Sequence, residues 1–159
     1  MDLRELIVFK NWADEIYLKY SADLSDQQFD EVVPTIHKSM RGILNHILQS
    51  YWGEYHLITD RNWSDEPDPE MDRQQLLARI RELNQLMLDY IDQQPLDEVI
   101  TYQEEGYEQP IKTSAENVLF NFVEHSSYHR GQMALLLRYH GLETIKQTNY
   151  NPYIWECKQ

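Results

Sequence analysis

One cysteine occurs among 159 residues, and that one, Cys157, stands close to the C-terminus. No internal disulfide can form and no cysteine metal cage can be built, so the fold must rest on its core alone. Positive charge is also scarce: 14 Lys and Arg stand against 27 Asp and Glu, a net charge of -13. Such a surface repels phosphate backbones and anionic headgroups, which excludes nucleic acid as an expected partner. No apolar run reaches the roughly 18 to 20 residues a bilayer span requires, and "MDLRELIVFK" has no basic leader with an apolar run behind it. The expectation is a protein of the cytoplasm with no membrane partner. The five glycines are scattered. No phosphate-cradling loop, GxSxG, HExxH or Glu-x-x-His is present, and the last absence argues against a ferritin-like di-iron bundle.

Helical periodicity is abundant. Residues 3 to 20 place Leu6, Phe9, Ala13, Ile16 and Tyr20 at steps of three and four. Residues 21 to 38 read as a connection, after which Ser39 can cap a second helix carrying Met40, Ile43, Leu44, Ile47, Leu48, Tyr51, Tyr55 and Ile58. The proline-bearing stretch "DRNWSDEPDPEMD" breaks the pattern. A third helix follows with Leu76, Ile80, Leu83, Met87 and Tyr90, closed by Pro95. Over "VITYQEEGYEQPIK" the period changes to that of a short hairpin, which must rest on the helices to be stable. Thr113 and Glu116 have the spacing of a capping box for the fourth helix, and Gly141 stands where that helix should stop. The aromatic tail "NYNPYIWECKQ" is expected to dock. The fold class expected is therefore all-α: a four-helix bundle with a short β-hairpin before the last helix, in one domain over residues 1–159.

The fourth helix carries the chemistry. With about 100 degrees of rotation per residue, Val118, Phe122, His125, His129, Gln132 and Leu136 fall in one stripe, with Asn121 beside them. Both histidines are expected to face the core. Polar groups buried there cost about 1–3 kcal/mol each unless satisfied, and a metal ion shared by His125 and His129 is one way to satisfy them. The competing reading is a pair of hydrogen-bonded core histidines. A metal needs a third ligand, and His46 alone of the other histidines lies mid-helix, beside Gly42, Gln49, Ser50 and Gly53, where room for a ligand is expected. The reading requires His46 within about 8 Å of the other two imidazoles. Gln132 and Asn121 are expected to hydrogen-bond rather than ligate. Arg130 is expected to pair with an acidic residue at the stripe's edge, and Gly131 to permit close helix approach. Gln49, Ser50, Asn121 and Gln132 are the candidates for lining a substrate pocket, with Tyr150 and Tyr153 able to orient a substrate; no catalytic acid or base is assigned.

The segments "NWADEIYL", "SMRGILNHILQSYWGE" and "FNFVEHSSYHRGQMALLLRYHG", in this order and with a hairpin before the last, resemble the DinB family across nearly the whole chain. That resemblance implies a four-helix bundle, often a homodimer, with a divalent metal on one histidine of the second helix and two of the fourth: His46, His125 and His129. Many relatives carry a further histidine where this chain has Asn121, and another where it has Tyr128, so the pocket lining differs. Characterised relatives include transferases and an isomerase that use low-molecular-weight thiols such as bacillithiol or mycothiol. The function this implies is a divalent-metal-dependent enzyme acting on a small molecule by thiol transfer. The alternatives are a metal-dependent hydrolase and a non-enzymatic metal-binding or stress protein. Zinc or nickel is the expected ion, with iron also suited to imidazole, and a small thiol the expected co-substrate.

Overall fold

Capping chemistry sets the helix boundaries. In the computed structural model, which describes residues 2–59, 66–104 and 106–158, α1 spans Leu3–Ala22 and begins where the Asp2 side chain accepts from Glu5 N. The connection expected over 21 to 38 contains a short helix, α2 (Asp26–Asp30), which Ser25 and Gln28 open with a reciprocal capping box. Ser39 caps α3 (Met40–Thr59) by accepting from Gly42 N. A Cβ at Gly42 would stand 3.3 Å from Ser39 Oγ, so this glycine makes room for the cap rather than for a ligand. Part of the proline-bearing break lies outside the described residues. Asp72 then caps α4 (Arg73–Gln93) through a box with Gln75.

β1 (Val99–Tyr102) and β2 (Ile111–Ser114) pair antiparallel, Val99 opposite Ser114, with Gly106 at φ 88 in the turn. Buried Ile100 anchors this hairpin on the helices, as an isolated two-stranded ribbon requires. The cap of α5 (Ala115–Tyr139) is Ser114, not Thr113: Ser114 both ends β2 and accepts from Asn117 N. Gly141, at φ 93, ends α5 with the paired bonds Leu142 N to Leu137 O and Gly141 N to Arg138 O, a glycine-dependent stop. Finally α6 (Tyr150–Cys157) docks on α1 through Tyr150 and Tyr153 against Phe9, with Trp12 also meeting Tyr153. These tyrosines pack on α1, and Tyr150 Oη donates to Glu5.

α1 packs on α4 and α5, and α3 packs on the same two helices, so α1 and α3 are diagonal in a four-helix bundle. Among the described residues no helix is long and apolar enough to cross a membrane. The expected stripes of the second and third helices are buried but for half-buried Tyr55, whereas the stripe of the first is rotated. Ala13 is buried as expected, but Leu6, Phe9, Ile16 and Tyr20 are only half-buried, and the other buried positions are Ile7, Lys10, Asp14, Tyr17, Leu18 and Ser21.

The rotation has a polar cause. Asp14 accepts from Arg130 Nη1 at 2.7 Å, from Tyr51 Oη at 3.0 Å, from Asn84 Nδ2 at 3.4 Å and from Ser126 Oγ, and lies 2.9 Å from Lys10 Nζ. Lys10 is fully enclosed, with its ammonium 3.5 Å from the centre of the Phe122 ring and 4.1 Å from that of Tyr51. Burial pushes its pKa down to about 8 against the pull of Asp14. Burial alone would raise the Asp14 carboxyl, but the charges of Lys10 and Arg130 outweigh it and hold the value at about 2. Arg130 therefore pairs with an acid as expected, but inside the core rather than at an edge.

Removing the acid strands two buried cations. Asp14→Asn is expected to lose about 3–5 kcal/mol of unfolding free energy in urea titration. Because the folded carboxyl titrates below its ordinary value, its contribution is complete above about pH 4 and drains away as the pH falls towards 2. The variant should lack this acid-linked loss.

Candidate metal centre

α3 and α5 meet along a seam of antiparallel rungs. His46 faces His129, Ser50 hydrogen-bonds His125, and Glu54 hydrogen-bonds Asn121, each rung one turn from the next. The imidazole centres of His46 and His129 are 4.7 Å apart, those of His46 and His125 5.4 Å, and those of the helical pair 4.4 Å. One nitrogen from each ring lies within 4.8 Å of the others. The requirement on His46 is met, and the three rings are positioned to bind a metal.

Their depth differs from expectation. His129 is buried, His125 half-buried and His46 exposed, so the cluster sits at the rim of the seam and not in the core. The deepest line of α5 runs through Leu119, Phe122, Ser126, Met133 and Leu137, and the histidines flank it. Asn121 is exposed and serves Glu54 instead of the imidazoles. Gln49 is exposed and lines a separate hollow of about 290 Å³ with Trp52, Glu66 and Pro67. Ser50 and Gln132 stand beside the rings. A Cβ at Gly131 would meet nothing within 4 Å, so this glycine permits no close approach within the chain.

The hydrogen bonds assign the ring protons. Gln132 Oε1 lies 2.9 Å from His129 Nδ1, which must carry the proton to donate to it. His129 Nε2 is then a bare lone pair, and it faces His125 Nε2 at 2.7 Å. Two bare nitrogens cannot sit so close; something positive must lie between them. Without a metal that is the His125 Nε2 proton, and Ser50 Oγ, 2.9 Å from Nδ1, then donates to the ring. A cation between the rings requires the opposite His125 tautomer, with Nδ1–H donating to Ser50. A hydroxyl serves both states equally, because it donates and accepts. The donor set fits a divalent ion: both outer nitrogens are held by hydrogen bonds and both inner ones converge.

The charge state favours this. Burial lowers the pKa of all three rings, helped at His46 by Lys38, at His125 by His46, and at His129 by both His125 and His46, while the bond from Gln132 works against it at His129. Neutral imidazole is the form that binds a cation. Glu54 and the Lys10–Asp14 pair escaped the sequence reading. Glu54 was accessible by extending the i, i+4 rule two turns from His46; the core pair carried no such signal.

A family model of the DinB family matches residues 1–156. No curated protein and no solved structure matches the chain.

In metal-free protein, long-range proton–nitrogen NMR spectra are expected to show His129 as the Nδ1–H tautomer and His125 as the Nε2–H tautomer. All three rings should titrate below pH 6.5, the ordinary histidine value, becoming cationic only as the pH falls through that lower range.

Proposed function

The chain belongs to the DinB family, and from that premise we propose that His46, His125 and His129 hold a divalent metal ion with which the protein acts on a small molecule by thiol transfer. The observation that carries the reading is the convergence of one nitrogen from each of the three rings to within 4.8 Å of the others, with the outer nitrogens of His125 and His129 engaged by Ser50 and Gln132. Three protein ligands leave a coordination position open, where a bound ion would lower the pKa of a thiol or water. Exposed His46 gives a small molecule its approach to that position. Gln132 and Ser50 fix the two ring planes, and imidazole donors suit zinc or nickel, with iron also suited. The thiol reading over hydrolysis rests on the family resemblance. An acidic chain with one exposed free cysteine suits the reducing cytoplasm.

Untagged protein purified without chelator is expected to carry close to one equivalent of zinc or nickel by elemental mass spectrometry, and His129→Ala to carry almost none. Metal-free protein that also fails to take up zinc, nickel and iron(II) would sink the reading. Gln132→Leu should keep the fold and weaken zinc affinity by about 10- to 100-fold in competition with a chromophoric chelator, since it releases the outer nitrogen of His129.

We further propose that two copies associate through α5. Phe120, Tyr128, Leu135 and Tyr139 are exposed and, with Gly131, lie within an arc of about 100 degrees on that helix. Sedimentation should find a homodimer that Leu135→Glu converts to monomer.

A further inference from the structure

Beyond the Ser50–His125 rung, one turn and about 5.4 Å along the helix, stands Glu54. Asn121 Nδ2 donates to its Oε1 at 2.6 Å. Its Oε2 is shielded from solvent and has no hydrogen-bond partner. An ionised carboxylate only accepts, so an enclosed oxygen without a donor is a poor place for a negative charge and a good place for a proton. Burial accordingly pushes the Glu54 carboxyl up to about 7, against the Asn121 bond and the charge of Lys10. Lys10 acts from α1 and Asn121 from α5. Tyr102 acts from β1, its own hydroxyl pushed up by burial first and then by Glu104, Tyr107 and Glu54. None of these forms an ion pair with Glu54, so gaining or losing its proton breaks no salt bridge among the described residues.

With an ion at the triad, the inner nitrogens of His46, His125 and His129 are engaged, and the other groups of the seam offer no place for a proton. The outer nitrogens of His125 and His129 are bonded to Ser50 and Gln132, their inner nitrogens face one another, and Gln132 and Asn121 are amides. Tyr102, with its pKa raised, keeps its proton. A weak acid that binds at the triad through a heteroatom must nonetheless lose one.

We propose that Glu54 is the proton acceptor of this groove, taking the proton that a small thiol gives up when its sulfur binds at His46, His125 and His129. The S–H bond breaks, its electron pair stays on sulfur, and the proton passes by way of water to the Glu54 carboxylate; nothing is oxidised or reduced. When the sulfur leaves as a thiol, the proton returns. The inference rests on the metal reading above and adds to it the base that reading lacks.

The test counts protons. Wild type and Glu54→Gln are loaded with zinc, and zinc stoichiometry is measured first, so that failure of the metal reading is registered before any thiol is added. N-acetylcysteine is then titrated into each loaded protein at pH 8 by calorimetry in two buffers of different ionisation enthalpy. Glu54→Gln is expected to release about one more proton to buffer per thiol bound than wild type. The difference should vanish below about pH 6, where Glu54 is already protonated. Equal release at pH 8 overturns the proposal, as does zinc-loaded wild type that binds no thiol. A second measurement needs no variant: in wild type labelled at glutamate carboxyl carbons, the Glu54 resonance should move to the protonated position when the thiol is added at pH 8. A resonance that stays ionised overturns it equally.

Discussion

Asp14 belongs to α1, yet its carboxylate is bound by Tyr51 of α3, Asn84 of α4, and Ser126 and Arg130 of α5, beside Lys10 of its own helix. One acidic side chain thus touches all four long helices. Apolar packing tolerates small slides of helix on helix, since leucine for leucine costs little. A carboxylate enclosed by donors from four directions does not, because each displaced donor leaves a buried charge short of a partner. The cluster is therefore better understood as fixing the register of the bundle than as adding to its stability. Exchanging an ion network for well-packed apolar side chains is often neutral or better, whereas a register set by direction has no apolar substitute.

The same cluster places the candidate centre. His129 and Arg130 are consecutive on α5 and point about 100 degrees apart, one into the seam with α3 and the other to Asp14. Ser126 and His125 repeat the division one turn earlier. Helix α5 thus carries two polar lines side by side. The inner line is saturated with partners and rigid, and the outer one ends in two nitrogens that face each other with one proton's room between them. Rotating α5 to serve one line would spoil the other.

This division explains what could be read from residues alone. The second and third helices have stripes of Ile, Leu and Met, and their buried faces follow those stripes almost residue for residue. His46 was legible because an imidazole amid helix-forming apolar residues has few reasons to be there, and the i, i+4 pair at 125 and 129 set where its partners must lie. The first helix was misread because its deepest residues include a lysine, an aspartate and a serine. Charge normally marks the wet face, and only the partners, 37 to 116 positions away in the chain, reverse the sign of that inference. The cap fell to Ser114 and not Thr113 because the strand runs one residue further than the local motif suggests, and its last residue serves both the hairpin and the helix.

A last consequence follows from counting charge in the seam. Three neutral imidazoles contribute no negative charge to a divalent ion, and the core behind them holds two cations to one fixed anion, Asp14. When Glu54 is ionised its charge offsets the second cation, so the seam and the core behind it carry little net charge inside a chain of net charge -13. The negative surface of the chain draws cations in, while an ion bound by three neutral rings favours an anion at the open position over a neutral ligand. Thiolate and hydroxide both qualify, and either must shed a proton on arrival. Among the described residues Glu54 is the carboxyl in this seam whose charge is not already committed to a cation, and it stands one turn beyond the Ser50–His125 rung. When it accepts that proton, the negative charge it gives up is replaced by the one arriving on the ligand, so the charge of the seam as a whole is unchanged by binding. An exchange that keeps total charge constant in an enclosed, poorly solvated place avoids the reorganisation that a net change would impose.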